Sequence, residues 1–210
     1  MESGKKLDIK NEFLRKSIHI GYSAVPIFYL FTTKEVIVTI TIILSVYMIA
    51  LDLLRIKWIW LRDLYLKVLG KILRNHETDN SKSLFTGGTY IVLSSLFCFL
   101  FFEKHVAISG MLITTFGDTA AALYGKYFGR IKVFDKTLEG SIVFFITGLI
   151  ILFFMGMLSG LFLIPALIAL AITVTLELMP IPIDDNILIP VSFCVVFNAV
   201  NMILGRGCLC

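Results

Sequence analysis

The chain has 210 residues, 58% of them hydrophobic and only 16% charged, with a net charge of +4. That apolar excess excludes an ordinary soluble domain, in which about half the residues are apolar and about a quarter charged. Four cysteines with no CxxC or Cys/His spacing give no support to a zinc site or a disulfide framework.

Long uncharged runs recur along the chain, several approaching the roughly 20 residues that span an apolar layer of about 30 Å. They predict seven transmembrane helices, over 18–33, 36–51, 84–102, 106–124, 141–158, 161–179 and 187–205. The fourth and sixth each carry an internal carboxylate, Asp118 and Glu177. The first run follows a basic tail but ends in Phe-Thr-Thr-Lys, with no small-residue cleavage pattern of a leader. Between the second and third, residues 55–74 place Asp63, Lys67, Lys71 and Arg74 at steps of four, four and three, interleaved with Trp58, Trp60 and leucines. This pattern predicts an amphipathic helix lying in the cytoplasmic interface. Cys208 and Cys210 are assigned to an unstructured tail. No linker or repeat divides the chain, so the expected fold is one all-α, polytopic integral membrane domain over 1–210, and its catalytic residues belong to that domain.

With the N-terminus in the cytoplasm, sixteen lysines and arginines fall on the cytoplasmic side and only Lys34, Lys104 and Arg206 on the other. This positive-inside asymmetry predicts a multi-pass protein with N-terminus and active site at the cytoplasmic leaflet. Asp118, Glu139, Asp184 and Asp185 then share that face with most of the cations. Attraction to anionic lipid needs only cations, and the mixture of signs points further.

Four stretches carry the candidate chemistry. In Phe116-Gly-Asp-Thr-Ala-Ala-Ala-Leu-Tyr-Gly-Lys-Tyr-Phe-Gly-Arg130 an ionised Asp118 costs about 2.5 to 3.5 kcal/mol at mid-bilayer, so it needs a cation, water or protein partner. On a continuous helix Asp118, Gly125 and Gly129 share a face almost free of side chains. Helix packing explains the glycines alone, whereas Asp118 with Lys126 and Arg130 suits a phosphate-bearing ligand. The run Lys136-Thr-Leu-Glu-Gly-Ser141 offers Lys136 for phosphate oxygens and Glu139 for Mg²⁺, although by themselves the two make an ordinary local ion pair. In Glu177-Leu-Met-Pro-Ile-Pro-Ile-Asp-Asp-Asn186 two adjacent carboxylates repel unless a cation lies between them, and Asn186 is by default a helix cap. In the fourth, Arg15 and Lys16 can meet phosphate while His19 orients or accepts a proton; the bland alternative is a positive-inside anchor.

Together these parts suggest phosphoryl transfer, which needs positioning, a metal on the phosphates and cations to neutralise developing charge. The expected catalytic residues are Asp118, Lys136, Glu139, Arg15, Lys16 and His19, and the expected metal ligands Asp118, Glu139, Asp184 and Asp185. Gly125, Lys126, Gly129, Arg130, Thr137 and Asn186 complete the expected phosphate-binding set. No P-loop, protein-kinase, HExxH or GxSxG motif is present.

These motifs, with Arg15-Lys16-x-x-His19, Asp52-Leu-Leu-Arg55, Arg74-x-x-Glu77 and Thr86-Gly87, resemble the dolichol kinase, phytol kinase and CTP-dependent diacylglycerol kinase family. The resemblance implies a polytopic enzyme that uses CTP and a divalent cation to phosphorylate the hydroxyl of a membrane lipid alcohol. It implies Arg15, Lys16, Asp118, Gly125, Lys136 and Glu139 as essential, with Asp184 and Asp185 completing an acidic site. CTP as donor rests on the resemblance alone. The Gly-Asp helix and the Lys-Thr-x-Glu-Gly run are also similar to phosphatidate cytidylyltransferases, whose second motif typically reads Ser-Pro-Lys-Lys-Thr rather than Phe-Asp-Lys-Thr. The expected partners are the bilayer, a lipid alcohol and a nucleoside triphosphate, without nucleic acid; a homo-oligomer stays open. An anionic-solute transporter is the competing class, weakened because the charges gather at one face and the opposite half of each helix offers no exit route.

Overall fold

The computed structural model describes residues 13–69, 84–159 and 161–205. Lys5, Lys6, Lys10, Lys71, Arg74, Glu77, Arg206, Cys208 and Cys210 lie outside the described residues. Among the described residues the fold is helical except for one short hairpin.

The first apolar run, expected as one helix, is two: α1 over 13–22 and α2, Ala24–Leu30. Pro26 has no N–H to give the carbonyl four residues earlier, so the ladder breaks there. Ser23 turns the chain at the break, its backbone N–H and its hydroxyl both donating to the Ile20 carbonyl, at 3.0 and 2.6 Å. Next, α3 (Lys34–Lys57) runs 24 residues and ends where Trp58 turns extended, and α4 (Ile59–Leu69) follows. The amphipathic segment therefore starts at Ile59, not at 55, and Arg55 belongs to α3, where its side chain is fully buried. Trp58, Ile59 and Trp60 are exposed, as suits side chains at headgroup depth.

After α5 (Gly87–Phe101) comes the central element, where α6 (Lys104–Leu112), a π turn over Ile113–Gly117 and α7 (Asp118–Phe128) form one rod. Of its most apolar stretch 78% is buried, against 22–39% for the other long helices, so neighbours surround it. Thr114, Thr115 and Thr119 return their hydroxyl protons to carbonyls four residues back, at 2.7, 2.9 and 2.6 Å, which leaves no unpaired hydroxyl in this apolar interior. The π turn inserts a residue directly before Asp118 and so resets which face α7 presents.

Strands β1 (Lys132–Val133) and β2 (Lys136–Thr137) pair antiparallel around Phe134 and Asp135. Phe134 sits at φ 55°, the left-handed geometry that a tight hairpin turn demands and that a bulky residue adopts at a cost. Helices α8 (Leu138–Ser159), α9 (Leu163–Leu178) and α10 (Asp185–Ile203) complete the bundle. At Gly148 an added Cβ would lie 2.4 Å from Leu170, so the missing side chain lets α8 and α9 cross closely.

Among the described residues four segments, Lys34–Lys57, Lys104–Phe128, Leu138–Ser159 and Asp185–Ile203, are long and apolar enough to cross a membrane. With Ile142, Ile146, Ile150 and Phe153 exposed along α8, they mark the chain as a membrane protein. The remaining apolar helices, α5 and α9, are shorter, at 15 and 16 residues, and the first run is divided, so the seven full spans expected from sequence are four long and several short elements. The ends still alternate. Lys16, Asp52, Thr86, the hairpin, Glu177 and Asp185 gather at one end of the bundle, whereas Lys104 at the other donates to the carbonyls of Leu30 and Thr32 at 3.1 and 2.9 Å.

Candidate active site

At the charged end, α1, α7, the hairpin, α8, α9 and α10 enclose a cleft of about 260 Å³. Four cations (Arg15, Lys16, Lys126, Lys136) and four carboxylates (Asp118, Asp135, Glu177, Asp185) line it, with the small residues Ala121, Ala122, Gly125 and Gly140.

One pair lies deepest. Lys16, 2% exposed, donates a hydrogen bond to Asp118, 8% exposed, across 102 residues of sequence. Burial makes the two interdependent, because removing one partner from a buried pair costs about 3–5 kcal/mol.

The second cluster centres on Lys136. Its ammonium donates to the Glu177 backbone carbonyl at 2.6 Å and meets Glu177 Oε1 at 2.7 Å and Asp185 Oδ1 at 3.2 Å. Three acceptors match the three donors of an ammonium. Pro180 and Pro182, which lack N–H groups, follow the end of α9, and Lys136 caps its last turn in their place, where the helix dipole favours a cation. Glu177 is 4% exposed, and its other oxygen accepts the Ser141 hydroxyl at 3.3 Å. Burial of Lys136 disfavours its charge, but the Asp185 and Glu177 carboxylates outweigh that, and its pKa rises above the ordinary lysine value.

Glycines bring the hairpin against α7. A Cβ at Gly125 would stand 2.6 Å from Thr137 Oγ1, and one at Gly129 would stand 2.3 Å from the Gly125 carbonyl and 2.5 Å from Thr137. Gly129 is not on the Asp118–Gly125 face as expected, because α7 ends at Phe128 and Gly129 caps it in extended geometry. Thr137 Oγ1 also accepts the Gly140 N–H at 3.2 Å, which makes Thr137 the N-cap of α8. Gly125→Ala is therefore expected to push the hairpin off α7 and cut turnover about tenfold or more, as misplacement of reacting groups by about an ångström does. Thr137→Ala added to it should restore part of the loss by removing the obstructing oxygen, and steady-state turnover of the two variants checks this.

Several expected residues do not reach the cleft. Glu139 accepts the backbone N–H groups of Arg130 and Ile131 at 3.0 and 3.1 Å, tying the end of α7 to the start of α8. Asp184 is the N-cap of α10, accepting the Asn186 N–H at 2.9 Å. Asn186 is buried and donates to the Gly87 carbonyl at 3.3 Å, while Arg130 is exposed and His19 half-buried, neither lining the cleft. The four expected metal ligands are thus not gathered, and among the described residues no three His, Cys, Asp or Glu side chains form a metal cluster. Asp118 and Asp185 nevertheless fit a magnesium-sized cation that arrives on a polyphosphate, since such ions take one or two carboxylates and fill the rest with phosphate and water. Glu139→Gln, which keeps one acceptor oxygen, is expected to retain most of the turnover, and Glu139→Ala to lose it through the turn; assay beside thermal unfolding separates the two.

Sequence reasoning did not assign Asp135, Ser141 or Glu177 to the site. Glu177 carried a signal as a lone carboxylate in an apolar helix, and the structure supplies its cation from 41 residues away.

Over 194 residues the chain is 28% identical to an uncharacterized protein of Rickettsia prowazekii, covering 90% of this chain and 95% of that one. It is 31% identical over 148 residues to CTP-dependent diacylglycerol kinase 1 of Saccharomyces cerevisiae, covering 67% of this chain and 49% of that one. The protein of the same name from Eremothecium gossypii is 28% identical over 146 residues, covering 67% and 45%. The chain therefore spans about half the length of the two kinases. No family model and no solved structure matches it. Two thirds of this membrane chain is similar to proteins named CTP-dependent diacylglycerol kinase, and that similarity supports kinship with them.

Proposed function

We propose that this protein is a phosphotransferase that moves the terminal phosphate of CTP to the hydroxyl of a membrane lipid alcohol, at the cytoplasmic leaflet. The observation that carries the reading is one cleft at one end of the bundle holding two lysines, Lys16 and Lys136, each already paired with carboxylates. A triphosphate entering that cleft replaces carboxylate partners for cations that are in place beforehand. Lys16 and Lys136, with Arg15 and Lys126 on the same wall, stabilise the charge on the transferring phosphoryl group. Asp118 and Asp185 hold the divalent cation, Mg²⁺ for instance, which when bound neutralises phosphate charge. Gly125 and Thr137 set the wall between them. The relatives' names support CTP as donor and diacylglycerol as the first acceptor to try, ahead of isoprenoid alcohols.

Purified protein with labelled CTP, Mg²⁺ and diacylglycerol should yield CDP and phosphorylated lipid. Pyrophosphate with a CDP-lipid would establish a cytidylyltransferase instead, and solute uptake without nucleotide turnover a transporter. Single cysteines at 61 and 135 should react with impermeant reagent from the cytoplasmic side and those at 33 and 103 from the other; the reverse pattern would remove the site from the cytoplasm.

A further inference from the structure

Asp52 lies outside the cleft, its carboxylate 1% exposed and its Oδ1 3.6 Å from the buried guanidinium of Arg55. Its Oδ2 accepts the Thr86 N–H at 2.9 Å and the hydroxyls of Thr86 and Thr89 at 3.3 and 2.6 Å. Thr86 is the N-cap residue of α5 but does not cap it with its own side chain, so a carboxylate on α3 does that work. The next carbonyl, that of Gly87, accepts the Asn186 side chain at 3.3 Å, and Asn186 follows Asp185, the acid that faces Lys136. An unbroken line of contacts thus runs from α3 through the first turn of α5 to the first turn of α10 and into the cleft.

We propose that Asp52 and Asn186 are positioning residues that hold Asp185 in place for the incoming nucleotide, an inference that rests on the phosphotransferase reading for its ligand. The chemistry suits the task. Asp185 stands at the start of α10, where a helix frays, and the loop before it contains two prolines and is tied by few backbone hydrogen bonds. Asn186 is 4% exposed and supplies the tertiary bond to α5 that steadies this turn, while Asp52 keeps the carbonyl it uses from drifting.

The test uses the full chain in detergent micelles with Asp52→Asn and Asn186→Leu. Peptides covering 184–192 should exchange amide hydrogen about tenfold faster in both variants, with the central rod 104–128 unchanged as the folding control. The KM for CTP should rise about fivefold or more while kcat and the lipid KM stay near their original values, a split that general destabilisation does not produce. If Asp52→Asn loosens only the first turn of α5, leaving exchange at 184–192 and the KM for CTP untouched, the proposal is overturned. A wild-type chain that turns over no CTP refutes the phosphotransferase reading, while hydrogen exchange still decides the positioning claim. Should Asp52→Asn fail to fold, Asn186→Leu decides by the same readings.

Discussion

Asp118→Asn should abolish phosphate transfer, lowering turnover by about 10²–10³-fold, the range seen when a preorganised electrostatic group is lost. The amide keeps the shape of the carboxylate but not its charge, so on the proposed reading it would lose the divalent cation, and it does not balance Lys16. Two consequences are separable. Lys16, 2% exposed, is left buried beside a neutral group, and breaking such a pair costs about 3–5 kcal/mol. Lys16→Met in the Asp118→Asn background removes the stranded ammonium and should return most of the thermal stability without any activity. Unfolding temperature and labelled-CTP turnover, measured on the single and double variants, check both. An active Asp118→Asn protein would exclude Asp118 from the chemistry.

Lys136→Met should lose comparable activity for a different physical reason. Here one ammonium answers two carboxylates and caps a helix, so its removal leaves Glu177 and Asp185 facing each other's negative charge, with the last turn of α9 uncapped. The Lys136 side chain is 29% exposed, so water compensates in part, and the stability loss should be about 1–3 kcal/mol. Lys136→Arg retains the charge but brings a planar fork to a site shaped for a point charge, and should recover little turnover. Because the folded-state pKa of Lys136 is raised, its contribution to stability is complete below the ordinary lysine value of 10.5 and is lost only as pH climbs past the folded value. Across the neutral range neither stability nor turnover should vary on account of Lys136, and a pH series of unfolding temperatures tests that.

These expectations separate what was legible in the sequence from what was not. The apolar runs, their approximate ends and the gathering of charge at one face follow from hydropathy and the count of lysines and arginines, which depend on local composition. Hydropathy does not register the break at Ser23, because the run around Pro26 is evenly apolar. The spacing puts Gly129 on a helix face because it does not show that α7 stops at Phe128. Glu139 looks like a metal ligand because it shares the charged face with Asp118, whereas the nearby Arg130 and Ile131 amides claim it.

The sequence by itself determined that this chain lives in a membrane, which end carries its charge, and that Asp118 and Glu177 are carboxylates set in apolar helices. Only the tertiary structure decided who the partners are: Lys16 for Asp118 across 102 positions, and Glu177 and Asp185 for Lys136 across 41 and 49. The reason is physical. Hydropathy acts on each segment alone, but a buried charge is satisfied by whichever opposite charge the packing of distant helices brings within reach.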